Sequence, residues 1–393
     1  MKPSFKSKIV LQPMLIRKDN KHYIVENEVN GDFFEMPEVC VVAIEKINNN
    51  ESLASIEEQL KQSFPDEEVD IIDFIEQLID LGLVKELDGV ELTVQQKSQS
   101  TTGFTWISSK LASVFYNKIT VPILLILFIS NLLLFITQPQ LLPKYTDIFI
   151  FDSMVLSTIT FTLISTIIIV LHEFGHIFAI RSFDLPANVQ IGNRLFFIVV
   201  ETDLTAGWRL SAKERNILFL GGMFIDQIIL AVALTLKLTI FSEGGFIDGL
   251  LSIVILDIFV KTIYQCCIYM KTDLYYVLES VTGSYNLMEN GKNYLARWLP
   301  FLKVDKTTTV FDGEEKIVKL YSIFTFIGVA FTISLFFFFF LPQTVYIIIS
   351  ILPHLTNPVG NPLFWDALVM VVEFIVMISL LLIVLIKKKK ASS

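Results

Sequence analysis

The sequence predicts a mostly α-helical, polytopic membrane bundle of about six spans, preceded by an N-terminal α+β, winged-helix-like cytoplasmic domain. Three observations predict it. Of 393 residues, 53% are hydrophobic, 34 are Phe and only 18% are charged, which is more apolar than a soluble chain of this length. The apolar residues are segregated, since residues 1–110 read as ordinary soluble sequence and most of the remainder falls in long apolar runs. Basic residues, finally, gather in alternate loops between those runs.

The net charge of −9 is segregated too, with acid concentrated in the N-terminal third and a basic run at 387–390. No basic face emerges from the globular part, which argues against a nucleic-acid partner. Cys266 and Cys267 are adjacent in an apolar stretch and Cys40 stands alone, so neither a disulfide framework nor a thiolate zinc site is indicated. The first long apolar run begins only near Ile119, so nothing at the start resembles a cleaved signal peptide and the N-terminal domain is expected in the cytoplasm.

Residues 1–92 form the expected first domain. Segments 9–17 and 22–28 flank the turn Lys18-Asp19-Asn20-Lys21, and Phe33-Phe34-Glu35-Met36 adds a third strand. Pro37 opens a helix carrying Val39, Val42, Ile44 and Ile47. Ser52 is the N-cap of a second helix, with Ile56 and Leu60 inward. A third helix runs over about 69–81, with Ile72, Ile75, Leu78 and Ile79 at helical spacing, and Gly82 ends it. Residues 93–118 read as a linker, and 119–390 as the membrane domain.

On its element order and on runs such as Phe33-Phe34-Glu35-Met36 and Leu78-Ile79-Asp80-Leu81-Gly82-Leu83-Val84, the stretch 8–90 resembles the PqqD-like domain. That resemblance implies binding of the leader of a ribosomally made peptide as an added β-strand. The alternative is an acidic winged-helix module that docks on another protein.

The six apolar stretches are 119–137, 154–180, 216–241, 250–270, 320–341 and 366–386, each near the roughly 20 residues needed to cross. The run 344–352 is too short to span and is expected at the interface. An even number of spans returns the C-terminus to the side of the N-terminus. Arg181, Arg194, Arg209, Lys213 and Arg215 then share one inner loop, Lys292, Arg297, Lys303 and Lys306 share the next, and 387–390 is inside. Both termini are therefore expected to be cytoplasmic in a multi-pass cell-membrane protein.

The second apolar stretch contains Leu171-His172-Glu173-Phe174-Gly175-His176. On a helix, residues four apart share a face, so both imidazoles reach one ion while Glu173 stands between them as general base. Three polar side chains near the end of an apolar span are costly in lipid, and such groups are usually functional. This pattern points to Zn²⁺.

A catalytic zinc takes three protein ligands, and depth selects the third. From Met154, His172 lies about 27 Å in, at the inner edge of a hydrocarbon core of about 30 Å. Asp273 follows the fourth span, which runs the same way, and falls at the same edge. Asp257 is only about 10 Å deep and is expected to pair with Lys261. Asp226 lies nearer mid-membrane, and Asp203 is on the intervening loop, so both fit less well.

With Thr272-Asp273-Leu274-Tyr275-Tyr276 about a hundred residues after the histidine motif, residues 150–285 resemble the site-2 protease family, closest to its bacterial branch of peptide zinc metalloproteases. Thr202-Asp203-Leu204, Trp208-Arg209-Leu210, Arg215 and Gly221-Gly222 belong to the same resemblance. It implies that His172, His176 and Asp273 bind zinc and that Glu173 is catalytic. Many members carry Asn-Pro-Asp-Gly around the aspartate where this chain has Lys271-Thr272-Asp273-Leu274, and no PDZ-like module is evident.

Alternation around Gly192-Asn193 in 187–201 suggests a β-hairpin, either a support for extended substrate beside the zinc or a closure of the loop. The run 336–340 reads as a lipid-facing or packing stripe, and His354 lies on the far side from the zinc. Together these readings give a zinc metalloendopeptidase that matures a small ribosomal peptide, with lipid around it and a peptide exporter or modifying enzyme as partner. The alternatives are cleavage of a membrane-anchored regulator, or a non-catalytic peptide carrier or immunity protein.

Overall fold

The computed structural model of the chain describes residues 2–19, 22–92, 103–194, 197–240, 245–300, 302, 304, 310–311 and 313–391. They divide into two compact units: Met1–Thr102 with Trp208–Ala212, and Gly103–Gly207 with Lys213–Ser393.

The first unit holds two small sheets and three helices. Strands β1 (Ile9–Leu11), β2 (Met14–Asp19), β3 (His22–Asn27) and β4 (Phe33–Met36) precede α1 (Glu38–Asn48), α2 (Leu53–Ser63) and α3 (Ile71–Asp80). β5 (Val84–Leu87) and β6 (Val90–Glu91) then close the unit. The single strand expected over 9–17 is two, because Pro13 has no N–H for a ladder and breaks the run. β1 pairs antiparallel with β5, and β2, β3 and β4 form the second antiparallel sheet. The expected turn at 18–21 falls partly outside the described residues, between the paired Asp19 and His22.

Local chemistry accounts for the helix ends. Ser52 accepts from the Ser55 N–H and caps α2, while Asp70 accepts from the Ile72 and Asp73 N–H groups and caps α3. Gly82 stops α3 at φ 69°, letting the Gly82 and Leu83 N–H groups reach the Ile79 and Leu78 carbonyls. Ile44, Ile56, Ile75 and Leu78 are fully buried in one core, as the helical spacing predicts, together with Val25 and Leu83, while Val39, Val42, Ile72 and Ile79 are only partly buried against it. Within the same unit Arg209 pairs with Glu26, and Arg17 Nη2 donates to the Trp208 carbonyl at 2.6 Å.

The second unit is helical except for one hairpin. The stretch Ser109–Phe115, expected as linker, is helix α4, followed by α5 (Thr120–Thr137) and the long α6 (Met154–Ser182). The hairpin pairs β7 (Asn188–Arg194) with β8 (Phe197–Asp203). Gly192 and Asn193, expected at its turn, lie within β7 opposite Val199 and Ile198. After it come α7 (Ala212–Phe219), α8 (Gly221–Thr239), α9 (Phe246–Gln265), α10 (Asp273–Thr282) and α11 (Leu287–Ala296). The C-terminal helices are α12 (Glu315–Leu335), α13 (Leu341–Ile351) and α14 (Pro362–Ala391), with a π-helical turn at Phe336–Phe340 joining α12 to α13.

Among the described residues four helical segments are long and apolar enough to cross a membrane: Ser109–Thr137, Met154–Ser182, Gly221–Thr239 and Glu315–Phe338. Helices also stand at the other two expected spans, as α9 and α14. Helix α9 carries Asp248, Asp257 and Lys261 and falls outside that apolar class, and α14 includes positions whose side chains are not described. The charges of α9 are all engaged. Asp248 Oδ1 meets Lys237 Nζ of α8 at 2.5 Å, and Asp257 pairs with Lys261 at 2.6 Å as expected. Lys261 Nζ also donates to the Ser165 carbonyl of α6 at 3.3 Å.

Phe135, Ile168, Leu230, Leu234, Ile255 and Ile258 bury one core among α5, α6, α8 and α9. A second core joins α10, α11 and α12 through Tyr275, Leu287, Val318 and Tyr321. Helices α6 and α8 cross almost backbone to backbone. A Cβ on Gly175 would stand 2.4 Å from the Gly221 carbonyl oxygen, and one on Gly221 would stand 2.9 Å from Ala179 Cβ. Small residues at such a crossing bring whatever the two helices carry into direct contact.

Candidate metal centre

Helix α6 presents His172 and His176 one turn apart on one face, with Nε2 atoms 3.3 Å from each other. Asp273 is the first residue of α10, and its Oδ2 lies 3.2 Å from His172 Nε2 and 3.5 Å from His176 Nε2. The three ligand atoms expected from the sequence thus form a triangle with edges of 3.2, 3.3 and 3.5 Å. Donors bound about 2.0–2.1 Å from one tetrahedral ion stand about 3.3–3.4 Å apart, so these residues fit a zinc ion.

The outer nitrogens of both rings explain why the inner ones face each other. His176 Nδ1 meets the Leu218 carbonyl at 2.8 Å; a carbonyl only accepts, so Nδ1 carries the proton. His172 Nδ1 meets Asp226 Oδ2 at 2.7 Å and donates to it. With the one proton of each neutral imidazole committed outward, two Nε2 lone pairs and a carboxylate oxygen converge with no proton to share. That is the donor arrangement a cation completes. Asp273 is in turn held by Gln265, whose Nε2 donates to Oδ2 at 2.7 Å and whose Oε1 accepts from the Asp273 N–H at 3.0 Å. The N-terminal position on α10 favours a negative charge.

Glu173 is buried beside the rings, and a carboxylate oxygen of Glu173 and one nitrogen from each histidine all lie within 4.8 Å of one another. Its Oε2 accepts from Thr202 Oγ1 on β8 at 2.7 Å, which anchors the hairpin to the motif. Gly222 on α8 packs against the His172 ring, where a Cβ would stand 2.3 Å from Nε2. Asp226 follows one turn later on the same face of α8.

The structure therefore brings His172, Glu173, His176 and Asp273 together. Asp257 is engaged with Lys261, and Asp203 accepts from the Thr205 N–H at 2.9 Å in a local turn. His354 sits in the turn Leu352–Thr356, apart from this cluster. Asp226, weighed in sequence as a weaker ligand, contacts the opposite nitrogen of His172 instead. Sequence reasoning missed that contact, as well as Thr202, Gln265 and the Leu218 carbonyl. Only Asp226 gave a signal, as a carboxylate in an apolar helix four residues after a glycine. No protein family, curated protein or solved structure matches the chain.

Proposed function

We propose that the chain is a zinc-dependent intramembrane metalloendopeptidase that cleaves a small ribosomally made peptide during maturation or export. The observation that carries this reading is the convergence of His172 Nε2, His176 Nε2 and Asp273 Oδ2 beside a buried glutamate. Bound there, zinc supplies a Lewis acid for an amide carbonyl and a water acidified to a pKa of about 7.

The residues of the chain do the rest. Thr202 holds Glu173 through Oε2, leaving Oε1 to take the proton of the attacking water and to pass it to the leaving amine nitrogen. His172 and His176 keep their Nδ1 protons and stay oriented through Asp226 and the Leu218 carbonyl. The buried setting of the cluster keeps competing solvent away while the carbonyl is polarised.

A six-span arrangement with both termini cytoplasmic is the topology that the distribution of Lys and Arg supports. It would set the centre near the inner membrane face. The N-terminal domain would hold the peptide's leader as an added strand, with an exporter or modifying enzyme as further partner.

The test is zinc per chain in purified wild type and in Asp273→Ala, with cleavage of apolar reporter peptides in detergent by wild type and Glu173→Gln. The expected result is about one zinc per wild-type chain, much less in Asp273→Ala, and a Glu173→Gln protein that keeps zinc and loses cleavage. Folded wild type without zinc sinks the reading; cleavage retained by Glu173→Gln removes the assigned base.

A further inference from the structure

We propose that Asp226 is a positioning residue for the metal: it fixes the direction of the His172 ring and, as a carboxylate on Nδ1–H, strengthens Nε2 as a donor to a divalent ion. The inference rests on the zinc reading above and adds to it a residue on a different helix.

Asp226 is 3% exposed and sits in the apolar helix α8, where an ionised carboxylate is costly. Its Oδ2 meets His172 Nδ1 at 2.7 Å, but its Oδ1 is buried with no hydrogen-bond partner among the described residues. Among the described residues the His172 ring is the one hydrogen-bond partner of this carboxyl, so whatever offsets its burial acts through that ring. Field and geometry act through the same ring, since a carboxylate on Nδ1–H also makes Nε2 a stronger donor.

Geometry places Asp226 in this role and not among the ligands. It faces Nδ1, on the other edge of the ring from the atom that meets His176 and Asp273. Gly222, one turn earlier on α8, gives the ring its space, so α8 offers a slot and a latch from two residues four apart.

The experiment measures zinc dissociation constants by chelator competition on the full chain in detergent, for wild type, Asp226→Asn and Asp226→Ala. Each protein is also saturated with cobalt(II) and its visible absorption recorded. Asp226→Asn keeps an acceptor for Nδ1 and loses only the charge; it is expected to bind zinc about 10-fold more weakly, and Asp226→Ala up to about 100-fold more weakly. At saturation both should keep the intense tetrahedral cobalt spectrum, because the ligand set is intact. Wild-type affinity in Asp226→Asn overturns the charge role, and wild-type affinity in Asp226→Ala overturns the positioning role too. An altered spectrum in saturated Asp226→Asn overturns it by making Asp226 a ligand. If Asp226→Ala does not fold, the isosteric Asp226→Asn decides. Wild type that binds neither metal instead defeats the zinc reading itself, so the two failures are distinct.

Discussion

Adding one methyl group at Gly222 should disable the metal centre without replacing any of its ligands. A Cβ there would stand 2.3 Å from His172 Nε2, 2.5 Å from Cδ2 and 2.6 Å from Cε1. Ordinary contact needs about 3.5 Å, so the ring or the helix must move by about 1.2 Å. Neither has room. The ring is tied through Nδ1 to Asp226, and α6 cannot recede without opening the Gly175–Gly221 crossing. Metal coordination tolerates displacements of only about 0.2 Å, so the triangle of donors is lost well before the clash is relieved. Gly222→Ala is expected to weaken zinc binding about 100-fold and to lower cleavage at least as much. The cost to the fold should be only the about 1–3 kcal/mol of an overpacked contact. Chelator competition reads the affinity, circular dichroism checks the helices, and Val232→Ala on the exposed face of the same helix is the control. Gly222→Ala with wild-type zinc affinity would refute the reasoning.

Three further outcomes follow from the geometry. Thr202→Val removes the hydroxyl that donates to Glu173 Oε2 and should cut the cleavage rate about 10- to 100-fold with zinc content unchanged, the range for a hydrogen bond to a charged group. Burial pushes the Glu279 carboxyl on α10 up to about 7, and both of its bonds, from Tyr275 Oη and the Leu287 N–H, go to Oε1, the oxygen a protonated carboxyl still offers. Its folded value is raised, so its stabilisation is full below about 4.5 and is lost as pH rises through about 7; thermal midpoints should fall over that window by the equivalent of roughly 3 kcal/mol at most, and Glu279→Gln should flatten the slope. In the N-terminal unit, Asp70→Ala deletes the cap on the Ile72 and Asp73 N–H groups and should cost about 1 kcal/mol, measured as a lower unfolding midpoint for that unit.

What the sequence disclosed follows the range of each physical rule. The helices of the first unit were legible because capping and stop signals act within a few residues, as at Ser52 and Gly82. His172, Glu173 and His176 were legible for the same reason, since a single helical turn brings them together. Asp273 needed a long-range argument from depth along two apolar stretches; the same argument set Asp226 nearer mid-membrane, yet its Oδ2 lies 2.7 Å from His172 Nδ1, because α8 begins at Gly221 and not at 216. Register was not legible: Gly192 and Asn193, expected at the turn, are paired within β7 with Val199 and Ile198, because alternation says which face a residue takes and little about where a strand ends. The start of α8 was also missed, because hydropathy is blind to the break at Leu220 that separates it from α7. Asp226 and Thr202 became visible only when helices and hairpin were packed, for their roles depend on which side of His172 and Glu173 each one meets.

The charged residues of α9 bear on how such a chain is made. A translocon partitions each new segment between its channel and the lipid, and an aspartate or lysine at mid-helix costs about 2.5–3.5 kcal/mol in that choice. Helix α9 carries three charges, and the partners these find outside it among the described residues, Lys237 and the Ser165 carbonyl, belong to helices synthesised earlier. On the six-span reading, α9 would stay in the channel until α6 and α8 stand beside it, and then leave already paired. Biogenesis and packing would then be one event, and a chain that lacked α6 would release α9 on the aqueous side.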